Sequence, residues 1–230
     1  MQAVTVFFGS LSFLFLLTST ILMIASNCTV PTSYEIYFMR TTLSAALTRE
    51  VVQLLPPTVE VFDRVTVKIG LLGYCINETC SEYQLGYRLP ALLMGGPVGI
   101  DFLSRGTTTA LVINPLFTAF SAACLAAFLV SIFLQKPAIV FMLMILNTIL
   151  GLVCLIIDFS IFARAYWLVR YSEPGIFGTV GVEYGNALWL MLAAVILAFF
   201  STLFIACSLH KGEDSRPRNG KVSEGRFNGA

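Results

Sequence analysis

Four apolar runs, each long enough to cross a bilayer as a helix, constrain this chain more than any other feature. A hydrocarbon core about 30 Å thick takes about 20 helical residues, and backbone groups in lipid must be hydrogen-bonded within their own segment. The runs cover residues 3–26, 107–134, 138–163 and 184–209. Between them lie a long loop of residues 27–106, a tight turn at Gln135-Lys136-Pro137 and a second loop near 164–183. A short basic tail, 211–230, follows and is expected to be disordered. With 57% hydrophobic and 12% charged residues, the composition is that of an integral membrane protein.

The first run has no Lys or Arg ahead of its apolar core and no A-x-A-like cleavage site, so it is expected to stay as a span. Basic residues beside short ends set orientation. Lys211, Arg216, Arg218, Lys221 and Arg226 in the tail, with Lys136 in the turn, place both on the cytoplasmic side. An even number of spans then makes both termini cytoplasmic and residues 27–106 extracellular, although Arg164 and Arg170 in the second outer loop weaken the bias. A net charge of +1 with scattered basic residues offers no surface for nucleic acid.

The long loop has internal order. Thr32 and Glu35 stand at capping-box spacing, and Met39, Leu43, Leu47 and Val51 recur every four residues until Pro56-Pro57. That pattern predicts an amphipathic helix, with Arg40, Arg49 and Gln53 off its apolar line, packed on the bundle or on a leaflet or partner. From Val59 the period becomes two: Val59, Val61, Val65, Val67 and Ile69 alternate with Glu60, Arg64, Thr66 and Lys68, which predicts a strand. Residues Tyr83 to Tyr87 are its expected partner, with Cys75 and Cys80 flanking a hairpin turn.

Cys124, Cys154 and Cys207 lie in apolar spans and Cys28 ends the first, which leaves Cys75 and Cys80 as the loop pair. A disulfide between them is expected outside the cell, because a small excursion with little core gains most from a staple. Two thiolates without a nearby histidine do not complete a zinc tetrahedron. Cys28 is expected to be a free thiol, and Cys207 a palmitoylation candidate. Two N-x-T sequons occur; Asn77 is a possible glycosylation site, whereas Asn27 is pressed against the bilayer.

One span, a loop carrying G-x-x-G-Y-C, then C-S, then G-Y, and three further spans resemble the fungal PalI family of four-span plasma-membrane proteins. The matching residues are Gly70, Gly73, Tyr74, Cys75, Cys80, Ser81, Gly86 and Tyr87. Leu111-Val112-Ile113-Asn114-Pro115 is similar to the apolar stretch ending in His-Pro that often opens the family's second span, with Asn114 in place of the histidine. Asp158-Phe159-Ser160-Ile161-Phe162 is similar to its third-span aspartate and apolar run. The longer outer loop, residues 34–57, points toward the related eisosome four-span proteins, and the tail is short. The fold expected is a bundle of four transmembrane helices carrying a small disulfide-stapled sheet, a claudin-like architecture by analogy.

The resemblance implies a role in ambient-pH signalling at the plasma membrane. Exposed carboxylates titrate near 4 and histidine at about 6.5. The one histidine, His210, is expected at the cytoplasmic face, so an outer sensor in this chain would be a desolvated carboxylate, Asp158 or Glu183. Asp158 is the ionisable residue well inside a span; its expected partners are Arg164, Arg105, Trp167 or nearby backbone. Sensing is expected to belong to a partner: a polytopic alkaline-pH sensor that this chain assists. The alternative is a structural organiser of membrane domains.

No phosphate loop, H-E-x-x-H helix or nucleophile elbow occurs, and the chain is expected to be no enzyme and to need no cofactor, metal or small-molecule substrate. A transporter would show broken helices or an internal repeat. Ser121-Ala122-Ala123, Ala193-Ala194 and the pair Gly181 and Gly185 predict close helix packing within the bundle, in self-association or with a partner, beside the contacts with membrane lipid.

Overall fold

The computed structural model describes residues 2–44, 64–84, 86–87, 89–90, 101–103, 105–134, 137–171 and 181–214. Helix α1 is Gln2–Asn27, α2 the short Arg105–Ala110, α3 Ile113–Leu134, α4 Pro137–Tyr171 and α5 Asn186–Asp214. Among the described residues, four stretches are long and apolar enough to cross a membrane: Val6–Asn27, Arg105–Ser131, Ala138–Trp167 and Asn186–Leu209. Proline sits where helices tolerate it. Pro137 opens α4 and Pro115 lies in the first turn of α3, where an N–H has no intrahelical acceptor to lose.

The helices form a closed ring in which α1 touches α3 and α5, and α4 touches α3 and α5. Side-chain hydrogen bonds lace each contact. Ser12 and Ser201 each donate to the other's carbonyl, at 2.8 and 2.7 Å, and Ser19 donates to the Ala194 carbonyl at 2.7 Å, both joining α1 to α5. Thr20 meets Ser121 at 3.0 Å between α1 and α3, and Thr148 meets Thr202 at 2.9 Å between α4 and α5. In lipid, where burying more hydrocarbon gives helices little reason to associate, such bonds and close packing fix their register.

Helix α4 is 35 residues long, so at about 1.5 Å per residue it measures about 52 Å and outruns the hydrocarbon core. The excess carries the sheet. Trp167, late in α4, and Trp189, early in α5, are both exposed near that end, where interfacial tryptophans anchor helices. Elsewhere the ring shows lipid-ready side chains such as Phe7, Ile21, Met142, Ile149 and Ile156.

The sheet has five antiparallel strands in the order β4-β3-β2-β1-β7, with β1 Met39–Ser44, β2 Arg64–Ile69, β3 Tyr74–Ile76, β4 Thr79–Cys80 and β7 Gly181–Tyr184. A separate two-stranded ribbon pairs β5, Leu89–Pro90, with β6, Asp101–Leu103. Register aligns Ile76, Val67, Thr41 and Val182 in one row and Tyr74, Ile69, Met39 and Tyr184 in another. Both rows face the helices. They pack with Phe38, Leu71, Tyr87, Leu111, Phe162, Ala165, Ala187 and Leu188 into the core at the sheet end. Phe38 stacks on Phe162 at 5.1 Å and Tyr166 on Tyr184 at 5.1 Å. Two further clusters follow along the bundle, around Met23, Phe117, Cys154 and Met191 and then around Leu16, Phe128, Met144 and Ile205.

Four expectations change. Met39 and Leu43 belong to strand β1, not to an amphipathic helix, because residues 39–44 pair with β2 and residues 39–42 also pair with β7 on the other side. Thr32 and Glu35, its predicted cap, lie in turns, the remainder of that predicted helix after Ser44 lies outside the described residues, and so do Val59 to Asp63 of the predicted strand. Strand β2 pairs with β1 and β3, while Ser81 to Gln84 form no strand. The fourth span begins at Asn186, since Tyr184 is a strand residue, and α5 continues through Asp214 into the tail; residues 215–230 lie outside the described set.

Candidate functional site

The G-x-x-G-Y-C cassette is a junction between the sheet and the helix ends. A tight turn joins β2 to β3, with the Gly70 N–H bonded to the Gly73 carbonyl at 2.9 Å. At Gly70 a Cβ would lie 2.1 Å from the Val30 carbonyl oxygen, so only glycine lets the turn rest on the segment leaving α1. Thr29 fastens the same place, its hydroxyl accepting from the Leu71 N–H at 2.8 Å. The Tyr87 hydroxyl donates to the Gly70 carbonyl at 2.7 Å, and the Thr108 hydroxyl donates to the Tyr87 carbonyl at 2.7 Å. One line of bonds thus ties the turn to α2. Gly86 precedes Tyr87 with φ at +69°, a left-handed conformation that aims the ring inward.

Ser81 closes the other side. Its N–H donates to the Tyr74 carbonyl at 2.8 Å and its hydroxyl accepts from the Tyr74 N–H at 3.1 Å, in space that a Cβ on Gly73 would occupy. Cys75 and Cys80 are directly opposed in the β3–β4 hairpin and form the disulfide expected of them. Cys28, Cys124, Cys154 and Cys207 are free. At the hairpin tip Asn77 adopts a φ of 52°, its Oδ1 accepts from the Thr66 N–H at 2.8 Å and its Nδ2 is buried. A glycan at this possible site would be attached to that nitrogen, which the closed hairpin encloses. Asn27 of the other sequon is likewise engaged, its Nδ2 donating to the Thr118 hydroxyl at 2.5 Å. Glu78, Thr79, Glu82, Tyr83 and Gln84 are exposed around the tip.

Register also aligns Cys80, Cys75, Lys68, Arg40 and Glu183 in one row on the sheet face turned from the helices. Lys68 is buried there. Its Nζ donates to the Tyr34 carbonyl at 3.0 Å and sits 3.3 Å from the centre of the Tyr34 ring, with the Tyr37 ring at 5.2 Å. Burial lowers its pKa, Glu35 opposes the shift and Arg40 adds to it. Alternation placed Lys68 on the polar face, but nothing in the sequence marked residues 34–37 as its cover.

Asp158 is fully buried in α4, and both its carboxylate oxygens accept from Asn114 Nδ2, at 3.1 and 3.0 Å. The expected partners differ: Arg164, Arg105 and Trp167 are exposed. The reason is helical phase, since Asp158 shares the inward stripe of Cys154, Phe162 and Ala165, whereas Arg164 and Trp167 fall on the outer side. Asn114, where the resemblance departs from a histidine, is therefore what the aspartate meets. Glu183 is exposed on edge strand β7, away from this pair. His210 continues α5 at the end of the bundle opposite the sheet.

Of the small residues, Ser121, Ala194 and Ser201 face inward, while Ala122 and Ala123 are exposed. Gly181 and Gly185 are not a helix-packing pair. Gly181 belongs to β7, and Gly185 is the joint at which a Cβ would lie 1.8 Å from the Tyr37 carbonyl oxygen. Asn186 completes that joint by accepting from the Tyr37 N–H at 3.2 Å and donating to the Glu35 carbonyl at 2.9 Å. An Asn just ahead of an apolar run is a helix-start signal, and it marks this contact in the sequence.

No curated protein matches the chain. The family model described as SUR7/PalI family matches residues 8–201, from the first span through most of the fourth and including the whole cassette, and the chain belongs to that family.

Proposed function

We propose that this protein is a non-enzymatic accessory subunit of the plasma membrane that supports a polytopic alkaline-pH sensor. The observation that carries the reading is how the cassette is used. Gly70, Gly86 and Tyr87 hold the sheet to the bundle, Gly73 and Ser81 close the turn on itself, and Glu78, Glu82 and Tyr83 are exposed around the stapled hairpin as a surface for another protein. A disulfide suits an oxidising compartment, which supports a sheet outside the cell and both termini in the cytoplasm. Deleting the protein should lower the amount of sensor at the cell surface and blunt the alkaline response. A Cys75→Ser/Cys80→Ser variant should capture less sensor from solubilised membranes; normal surface delivery after deletion would refute the role.

A second reading, an organiser of membrane domains, has its own support. Ala119, Ala122, Ala123 and Ala126 are exposed on α3, and small residues let helices of neighbouring molecules approach closely. Immobile cortical patches that persist at every pH, with sensor delivery intact, would favour it.

A further inference from the structure

We propose that the Cys75–Cys80 disulfide is a thiol-exchange site, opened from one side, at Cys80 Sγ, by the thiol of a small positively charged molecule. The two cysteines are directly opposed in the β3–β4 hairpin, yet their settings differ: Cys75 is 0% exposed, whereas Cys80, in the short strand β4, is exposed. Register sets Cys80, Cys75 and Lys68 in that order on the sheet face turned from the helices. A thiolate attacks in line with the S–S bond, from behind the sulfur it joins, so access decides which sulfur reacts. Among the described residues β4 is the last strand, and the sheet edge lies behind Cys80; behind Cys75 stands β2 with the buried Lys68.

The step needs no oxidant. The attacking thiolate bonds to Cys80 Sγ, the Cys75–Cys80 bond breaks with its electron pair on Cys75 Sγ, and a mixed disulfide at Cys80 and a Cys75 thiolate result. That thiolate forms directly across from Lys68, and a neighbouring cation makes a thiolate the better leaving group. Exchange also frees β4, whose ladder to β3 consists of the pairs Cys75–Cys80 and Ile76–Thr79.

Charge around the exposed sulfur selects the thiol. Glu78 and Glu82 flank Cys80 in the chain, one on either side, and both are exposed. They repel an anionic thiol such as glutathione and attract a cationic one such as cysteamine, an effect that salt weakens.

The full-length protein in nanodiscs tests this by incubation with excess cysteamine or glutathione at equal thiolate concentration, an acid quench, capping with N-ethylmaleimide and peptide mass spectrometry. The thiol adduct should sit on Cys80 and the maleimide on Cys75, in excess over the reverse arrangement by at least about tenfold. Cysteamine should react several times faster than glutathione, and Glu78→Gln/Glu82→Gln should bring the two rates together. Lys68→Met should slow both thiols several-fold, and Lys68→Arg should restore them. The wild-type adduct map stands even if a Lys68 variant fails to fold. Adducts shared equally between the two cysteines, or none at either in excess thiol, would overturn the site. Equal wild-type rates for the two thiols would overturn the charge selection, and a rate unmoved by Lys68→Met would overturn the part given to Lys68.

Discussion

The Tyr87 hydroxyl donates to the Gly70 carbonyl across 2.7 Å, with both residues buried. This bond joins the two ends of the family motif and carries on through Thr108 to helix α2. Removing the hydroxyl leaves a buried carbonyl without its donor, which costs about 1–3 kcal/mol. Tyr87→Phe should therefore lower the unfolding midpoint of the purified protein without changing its helix content, as followed by circular dichroism. The same tyrosine has a pH signature. Burial, with a smaller contribution from Tyr74, raises its pKa well above the usual value near 10. The folded state then holds the proton after the unfolded state begins to release it. Its contribution should be constant between about pH 7 and pH 9 and decline as pH rises above about 10. Tyr87→Phe should remove that decline.

Gly181 and Gly185 are alike in the sequence and opposite in the fold. A methyl group on Gly185 would meet the Tyr37 backbone at 1.8 Å, whereas on Gly181 its nearest neighbour is Thr42 at 3.9 Å. Gly185→Ala should displace the segment that leads into β1 from the start of α5, and the amount of folded protein recovered from membranes should drop several-fold. Gly181→Ala should be recovered at the wild-type level. Equal recoveries would contradict the joint.

These glycines mark how far the sequence could be read. The spans were legible because lipid leaves a helix few alternatives, and Val67 and Ile69 alternated plainly enough to declare a strand. The Cys75–Cys80 staple followed from which cysteines lay outside the apolar runs. Partners across long sequence distances were not legible. Met39 and Leu43 are spaced equally well for a helix until β2 pairs with both and β7, about 140 residues later, pairs with Met39 on the far side of β1. Asp158 gave no sign of preferring Asn114 over an arginine, because helical phase decides that only once α3 and α4 are side by side.

Lys68 and Tyr34 provide a pairwise test on the sheet face turned from the bundle. The ammonium group lies 3.3 Å from the ring centre in a buried setting, where such a contact is worth about 1–2 kcal/mol. Tyr34→Leu should destabilise the wild type by about that amount and have a much smaller effect in a Lys68→Met background, since the main-chain acceptor of Tyr34 is unaltered by its side chain. Denaturation of the four chains in one detergent completes the cycle. Additive effects would show that the ring is only a cover. Because burial lowers the Lys68 pKa, the folded state sheds this proton before the unfolded one does. Stability from this group should therefore increase as pH rises toward about 10.5, and Lys68→Met should flatten that rise.

Asn77 combines three demands in one residue: a left-handed φ of 52°, an oxygen accepting from the Thr66 N–H, and a buried Nδ2. Asparagine tolerates the left-handed conformation better than most residues, and its short amide reaches back across the turn to β2. Asn77→Gly keeps the backbone and loses the hydrogen bond, whereas Asn77→Ala loses both. The alanine variant should be less stable than wild type by about 1–2 kcal/mol and the glycine variant should fall between them. The sequon adds a second readout. With Nδ2 enclosed, protein that has closed its hairpin should carry no glycan at Asn77, and an amidase that removes N-linked glycans should leave its gel mobility unchanged. In Cys75→Ser/Cys80→Ser the hairpin opens more readily, and glycosylation at Asn77 should increase. A fully glycosylated Asn77 in the wild-type disulfide-bonded protein would mean that this tip is built differently.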